Sequence, residues 1–216
     1  MSLRRVKLTR PRRRSRRGRA GLVIGLTGSI AMGKSTAATF LKRLGIPVFD
    51  ADAAVHSHMK PGGKATRAIA ARFPGTVGPK GVDRKALGAL VFGDKDALRD
   101  LERITHPLVS ADRSRFLAHA AIARRPIVAI DVPLLFEGAG PRAYDAVIVV
   151  SAPAFLQRQR ALARPGMTPA RLAGTLARQW PDARKRRYAD AVIPTGLGKR
   201  ETLRRLRQFL TLLRKI

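Results

Sequence analysis

Residues 28–35 read Gly-Ser-Ile-Ala-Met-Gly-Lys-Ser and match the phosphate-loop pattern G-x-x-x-x-G-K-[ST] at every position. The glycines let the backbone turn successive N–H groups toward one anion, and a helix beginning near Lys34 adds the positive end of its dipole. In this pattern the lysine bridges the β and γ phosphates and the serine hydroxyl binds Mg²⁺. The phosphates of a nucleoside triphosphate are therefore predicted to be bound by Gly28, Ser29, Ile30, Ala31, Met32, Gly33, Lys34, Ser35 and Thr36.

Carboxylates at the ends of apolar segments are the next candidates. Asp131 ends the segment "IVAID" and is predicted to assist Mg²⁺ beside Ser35, the alternative being a cap on the following turn. Asp50 and Asp52 end the apolar segment 46–52, and the i, i+2 spacing predicts that both point to the same side of a strand. Asp52 is predicted to accept the proton of an attacking hydroxyl; the alternative is that it caps the helix that follows.

Basic side chains offer a second kind of chemistry. Arg158, Arg160 and Arg164 follow the fourth predicted strand, and the last two are predicted to share one helix face. An arginine there can neutralise charge on a phosphoryl group in transfer, although a solvated basic face is an equally open interpretation. His56 and His58 lack the further ligands that a zinc site needs. The spacing of His106 does not decide between a cap and a ligand contact.

The elements that position these residues can be read from the apolar periodicity. Residues 21–28 form a strand, a helix runs from Lys34 to Gly45, and residues 46–52 form a second strand, which together make a βαβ unit. Residues 61–83 are rich in loops, and a helical stretch from Asp83 to about residue 123 is predicted to break at His106-Pro107. The sequence therefore predicts an α/β fold with a parallel sheet and a helical insertion.

Three further strands are predicted within residues 125–137, 144–153 and 189–196. A basic helical segment, 154–180, is hinged at Pro165-Gly166, and an amphipathic helix closes the chain. The predicted domain is 21–216, with its core in 21–60, 124–153 and 176–216, a substrate insertion at 61–123 and a lid at 154–175. Residues 1–20 are predicted to be a disordered basic extension.

Composition narrows the possible functions. The 216 residues contain no cysteine, which excludes disulfides, thiolate zinc sites and cysteine nucleophiles and suits a cytoplasmic location. The net charge is +30, and the ten basic residues of segment 1–20 leave +20 on the rest. Such a chain attracts polyanions, or else its arginines simply solvate the surface. For the N-terminal segment, a targeting signal or polyanion binding is the alternative, and no apolar run is long enough to cross a membrane.

Seven segments resemble the dephospho-coenzyme A kinase family in order and spacing. They are "GLTGSIAMGKST", "FDADAAVH", "VDRKALGALVF", "LERITHPLV", "DVPLLFE", "LQRQRALAR" and "YADAVIPTG". The resemblance implies a three-layer P-loop kinase fold with a five-stranded parallel sheet, a helical substrate insertion and a helical lid. It also implies transfer of the γ-phosphoryl group of ATP to the 3′-hydroxyl of 3′-dephospho-CoA, the last step of coenzyme A synthesis, with Mg²⁺.

The resemblance assigns roles residue by residue. Asp52 would be the base, Lys34 and the lid arginine Arg160 would act on the phosphates, and Ala31 to Thr36 would contact ATP. The acceptor would be bound by Asp50, His106, Pro133, Leu134, Leu135 and Glu137. One departure is that the family often has an asparagine where this chain reads "VIPTG", which leaves the adenine contacts open.

Other functions make different predictions. A GTPase that reads guanine through an asparagine is excluded, because the chain contains none. Another small-molecule or nucleotide kinase would differ in its acceptor. A nucleic-acid-binding protein would show steeply salt-dependent affinity, and no specific nucleic acid partner is expected. A monomer or weak oligomer is expected.

Overall fold

A computed structural model describes residues 21–138 and 140–215 of the chain. The expectations for segment 1–20 lie outside the described residues. The chain divides into two compact units, one formed by the residues up to Phe49 and from Ala120 on, the other by Asp50–His119. The second unit contains most of the predicted insertion and begins eleven residues before it.

The first unit is built on a five-stranded parallel sheet, as predicted, with strand order β2-β5-β1-β6-β7. The strands are β1 (Leu22–Thr27), β2 (Val48–Asp50), β5 (Ile127–Asp131), β6 (Ala146–Ser151) and β7 (Ala191–Pro194). The three central strands are almost continuously buried and apolar, as expected for parallel strands covered on both faces. Because the strands are parallel, the residues that follow them meet at one edge of the sheet.

Helices cover this sheet and complete its core. They are α1 (Lys34–Arg43), α6 (Ala154–Leu162), α7 (Pro169–Ala177), α8 (Asp182–Tyr188) and α9 (Lys199–Leu213), and the last residues of α5 (Lys95–Ile122) also belong to this unit. The apolar face of α9, with Leu206, Leu210 and Leu213, packs in the same core as Leu41 of α1 and Ile24 of β1. The predicted amphipathic helix is therefore confirmed as the cover of the sheet beside α1.

The second unit is mostly helical. It contains α2 (Ala51–His58), α3 (Thr66–Arg72), α4 (Arg84–Val91) and most of α5, with a small antiparallel pair, β3 (Val77–Gly78) and β4 (Gly81–Val82). Its own core is formed by Met59, Ala65, Ile69, Phe73, Leu87 and Ala97. The nearly buried His58 contacts Asp112 through Nε2 and Oδ2, 2.8 Å apart, and this joins α2 to α5.

Several local predictions were wrong. The second strand ends at Asp50, because the Asp50 side chain accepts a hydrogen bond from the N–H of Ala53 and thereby starts α2. Asp52 consequently lies in a helix, so the two aspartates are not strand neighbours facing one side. Helix α5 continues through Pro107, since the loss of one backbone donor does not end a helix of 28 residues. The hairpin β3–β4 and helix α8 were not predicted.

Among the described residues, none of the helices is both long enough and apolar enough to cross a bilayer.

Candidate functional site

The phosphate loop joins β1 to α1, in the strand–loop–helix context that the motif requires. Gly33 adopts the left-handed conformation, φ +86°, and a Cβ there would lie 3.1 Å from the side chain of Thr195. A Cβ on Gly28 would lie 2.4 Å from Cγ2 of Val150. Ala31 also has a positive φ, +60°, although it carries a side chain. The loop therefore adopts a conformation that contacts with neighbouring residues maintain.

The N-terminus of α1 is suited to an anion. No side chain caps this helix at Gly33, and its first turn carries no acidic residue. The first N–H groups of a helix have no intrahelical acceptor, and the helix dipole places partial positive charge there. Lys34, Ser35 and Thr36 form this first turn, so three of the predicted phosphate contacts share one helix end.

Lys34 and Asp131 meet at the edge of the sheet. Nζ of Lys34 lies 2.6 Å from Oδ1 of Asp131, whose side chain is almost fully buried. The contact exists because β1 and β5 are adjacent, with Leu26 opposite Asp131 in the register. Asp131 therefore orients the lysine of the phosphate loop and does not merely cap a turn.

The oxygen donors near the loop fit Mg²⁺. Ser35 supplies a hydroxyl in the first turn of α1, and Asp131 supplies a carboxylate at the end of β5. In the described part of the chain no group of three or more His, Cys, Asp or Glu side chains could hold a metal by itself. Magnesium is typically held by one or two protein oxygens together with water and substrate phosphates, so this small donor set matches its chemistry.

Two glutamine side chains hold the loop at Ile30. The N–H of Ile30 donates to Oε1 of Gln179, and Nε2 of Gln157 donates to the carbonyl of Ile30, both at 2.9 Å. Ala31 packs in a small apolar cluster with Ala161 of α6 and Leu172 of α7. The helices of the predicted lid segment are thus in direct contact with the phosphate loop.

Arg160 points to the end of the last strand. Its Nη2 donates to the carbonyl of Thr195 at 2.9 Å, and Nη1 lies 3.4 Å from Oγ1 of Thr195. The guanidinium is therefore anchored and does not simply belong to a solvated face. The predicted pairing of Arg160 with Arg164 on one helix face is wrong, because α6 ends at Leu162.

The segment "PLLFE" is divided between surface and core. Leu134 is exposed, whereas Leu135 is fully buried beside Gly25 of β1. Pro133 accepts a hydrogen bond from the hydroxyl of Thr27 through its carbonyl, at 3.1 Å. The side chain of Leu135 therefore has a packing role, which leaves Leu134 and Pro133 as the candidates for ligand contact.

Glu137 is engaged inside the protein. Its Oε1 accepts the N–H of Trp180 at 2.6 Å and lies 2.9 Å from Nζ of the fully buried Lys185. Trp180 is covered on its ring by Phe136 and by the guanidinium of Arg184, 3.6 Å from the ring centroid. Because Trp180 follows Gln179, this ion pair fixes the segment that holds Ile30. Glu137 is accordingly a support of the phosphate loop.

The remaining candidates belong to the second unit. Asp50 caps α2, Asp52 lies in the first turn of that helix and is exposed, and His106 is exposed on α5. The carboxylate of Asp52 therefore lies at the start of a helix and is exposed to solvent.

Sequence reasoning missed Gln157, Gln179, Thr195 and Lys185. The glutamines lie in a segment whose arginines dominate its pattern, and no motif marks them. Thr195 had a usable signal, because it follows a strand of a parallel sheet at the edge where ligands bind. The burial of Lys185 depends on its partner Glu137, 48 positions away along the chain, and local sequence does not reveal such a pairing.

Comparison with known proteins finds relatives that cover most of the chain. A family model described as dephospho-CoA kinase matches residues 22–198. A protein of Rhodospirillum rubrum named dephospho-CoA kinase is 56% identical over 195 residues, covering 89% of this chain and 92% of its own. A protein of Novosphingobium aromaticivorans with the same name is 57% identical over 180 residues, covering 83% of this chain and 89% of its own. The crystal structure of TT1252 from Thermus thermophilus matches with a TM-score of 0.78 at 30% identity, covering 89% of this chain and 97% of that one.

Proposed function

The chain belongs to the dephospho-CoA kinase family, and on that premise we propose which of its residues transfer the γ-phosphoryl group of ATP to the ribose 3′-hydroxyl of 3′-dephospho-CoA. The protein is a P-loop kinase that catalyses the last step of coenzyme A synthesis. The observation that carries the assignment of roles is the contact of Lys34 with Asp131 beside the uncapped N-terminus of α1.

The phosphate loop binds the ATP phosphates. Residues Ala31 to Thr36 contact the phosphates, with the N–H groups of Ala31 and of Gly33 to Thr36 as donors, since the N–H of Met32 donates to the carbonyl of Ser29 at 3.1 Å. Lys34 bridges the β and γ phosphates. Ser35 and Asp131 would hold Mg²⁺, which would supply neutralisation of the phosphate charge. Support comes from the left-handed conformations of Ala31 and Gly33 and from the open first turn of α1.

Asp52 is the general base. Its carboxylate takes the proton of the 3′-hydroxyl as the new oxygen–phosphorus bond forms and the bond between the γ-phosphorus and the bridging oxygen of ADP breaks. The support is its exposure and its place in the first turn of α2, directly after the strand end at Asp50. In this assignment Asp50 positions Asp52 by capping the helix.

Arg160 neutralises charge on the phosphoryl group in transfer. Its guanidinium carries several N–H donors, so bonding to Thr195 leaves others for a phosphate. His106 and Leu134, both exposed, are proposed acceptor contacts, with Pro133 beside Leu134. The buried Leu135 and the paired Glu137 act on the acceptor only through the backbone that they support.

We also propose the chemical class of the substrates, the compartment and the metal. The substrates are small molecules that carry polyphosphate, which suits a chain with a net charge of +30. We assign the reaction to the cytoplasm, and Mg²⁺ accompanies ATP.

The test is an acceptor panel. Release of ADP from Mg-ATP is measured with 3′-dephospho-CoA, AMP, shikimate and no acceptor. Turnover in the usual kinase range of about 1–100 s⁻¹ with dephospho-CoA alone is expected. Turnover with a different acceptor only would retain the phosphate loop and refute the acceptor assignment.

A further inference from the structure

Thr195 connects the last strand of the sheet to the phosphate loop. It follows β7, and only 7% of its surface is exposed. Its Oγ1 donates to the carbonyl of Met32 at 2.7 Å, whereas the carbonyl of Ser151 lies farther away, at 3.3 Å. Because a hydroxyl carries one hydrogen, the shorter contact, to the loop, is the dominant one.

The backbone of Thr195 is equally occupied. Its N–H donates to the carbonyl of Ser151 at the end of β6, 2.8 Å away. Its own carbonyl accepts Nη2 of Arg160, and Nη1 of the same guanidinium approaches Oγ1. A single residue therefore holds the end of a neighbouring strand, the phosphate loop and the arginine of the lid segment.

The hydrogen bond to the carbonyl of Met32 also sets the direction of the N–H of Gly33. The carbonyl of Met32 and the N–H of Gly33 belong to one planar trans peptide, so they point in opposite directions. A carbonyl held toward Thr195 directs the N–H of Gly33 away from it. The side chain of Thr195 additionally fills the space beside Gly33, where a Cβ would approach it to 3.1 Å.

We propose that Thr195 is a positioning residue for phosphoryl transfer. Its hydroxyl fixes the Met32–Gly33 peptide, and its carbonyl anchors Arg160. This inference rests on the function proposed above. It also means that the Thr195 hydroxyl is committed to the loop and is not the group that reads the adenine base.

The test compares Thr195→Val, which keeps the shape and removes the hydroxyl, with Thr195→Ser, which keeps the hydroxyl. Thr211→Val is the matched control, because that hydroxyl lies on the exposed side of α9 and donates within its own helix, to the carbonyl of Arg207. The readouts are the affinity for Mg-ADP by calorimetry, kcat and KM with dephospho-CoA, and the melting temperature.

For Thr195→Val we expect a loss of roughly tenfold in Mg-ADP affinity and in kcat, the size that one buried hydrogen bond supports. The KM for dephospho-CoA should stay unchanged, and Thr195→Ser and Thr211→Val should match the wild type. If Thr195→Val does not fold, Thr195→Ala must show the same loss.

Two results would overturn the proposal. One is a Thr195→Val protein with wild-type nucleotide affinity and kcat. The other is a loss in Thr195→Ser as large as that in Thr195→Val, which would show that the hydroxyl does not account for the effect, because the serine variant retains it. If the wild type does not phosphorylate dephospho-CoA, the proposed function fails, and the Mg-ADP affinities still decide the role of Thr195.

Discussion

Nζ of Lys34 lies 2.6 Å from Oδ1 of Asp131, so the lysine of the phosphate loop is held by the carboxylate that ends the neighbouring strand. The pairing makes one ionic unit from two elements that are far apart along the chain. Because the carboxylate is buried, the ammonium close to it offsets part of the cost of burying its charge.

Replacing Lys34 should abolish most activity. We expect Lys34→Ala to lower kcat by about 10²–10³, the usual cost of removing one group that stabilises transition-state charge. Lys42→Ala, in the exposed last turn of the same helix, should retain activity. Steady-state turnover and melting temperature are measured together. Near-normal turnover of folded Lys34→Ala would contradict the assignment of the loop.

Removing the lysine also takes away the ammonium that lies 2.6 Å from Oδ1 of the buried Asp131, which costs stability. The double variant Lys34→Ala/Asp131→Asn should therefore melt at a higher temperature than Lys34→Ala while staying equally inactive. Equal melting temperatures in the two variants would contradict the expected cost of leaving the Asp131 carboxylate without Lys34.

Asp52 should matter for rate more than for folding. We expect Asp52→Asn to lower kcat by about 10²–10⁴, the range of general-base catalysis. Asp96→Asn is the matched control, because Asp96 is another exposed aspartate in the first turn of a helix of the same unit. An effect below about tenfold on kcat would remove Asp52 from the role of base.

The glutamines that flank Ile30 should control nucleotide binding. Gln157→Leu and Gln179→Leu each remove one partner of the Ile30 backbone, and each should weaken Mg-ADP binding by roughly fivefold to tenfold, as the loss of a net hydrogen bond implies. Gln159→Leu, exposed on the same helix as Gln157, is the control. Calorimetry that finds unchanged affinities in both variants would show that the bonds of Gln157 and Gln179 to Ile30 do not support nucleotide binding.

The stability of the protein should depend on pH through Glu201 of α9. Hydrogen bonds from Arg204 and then Arg205 lower the pKa of Glu201 from 4.5 to about 2. A carboxyl with a lowered pKa contributes stability above its unfolded pKa, and that contribution is lost as the pH falls toward about 2. Glu201→Gln should therefore melt slightly below the wild type at neutral pH, and the difference should shrink between pH 4.5 and 3. A difference that grows as the pH falls would contradict this account.

Much of the fold followed from periodicity and motif spacing. The phosphate loop, the five strands and the closing helix were predicted because each is specified by its own local sequence, as in the buried run Leu22–Thr27. Errors arose where a local rule met a competing interaction. Pro107 did not end α5, and Asp50 took the capping position that the sequence had suggested for Asp52.

The residues that support the site were harder to predict from the sequence. Gln179 contacts Ile30 across 149 positions of the chain, and Thr195 contacts Met32 across 163. Such pairs exist only after strands β1, β6 and β7 have come together. The chemistry of a motif can be predicted locally, whereas the residues that hold the motif in place are set by the packing of the sheet.

The most direct test of the central claim is the identity of the product formed from Mg-ATP and 3′-dephospho-CoA. Mass spectrometry and ³¹P NMR of the wild-type reaction should show coenzyme A, with a new phosphate monoester on the ribose 3′-hydroxyl and one ADP per acceptor. The Lys34→Ala protein should form both products about 10²–10³ times more slowly. ADP released without a phosphorylated acceptor, or a phosphate placed on another hydroxyl, would contradict the account.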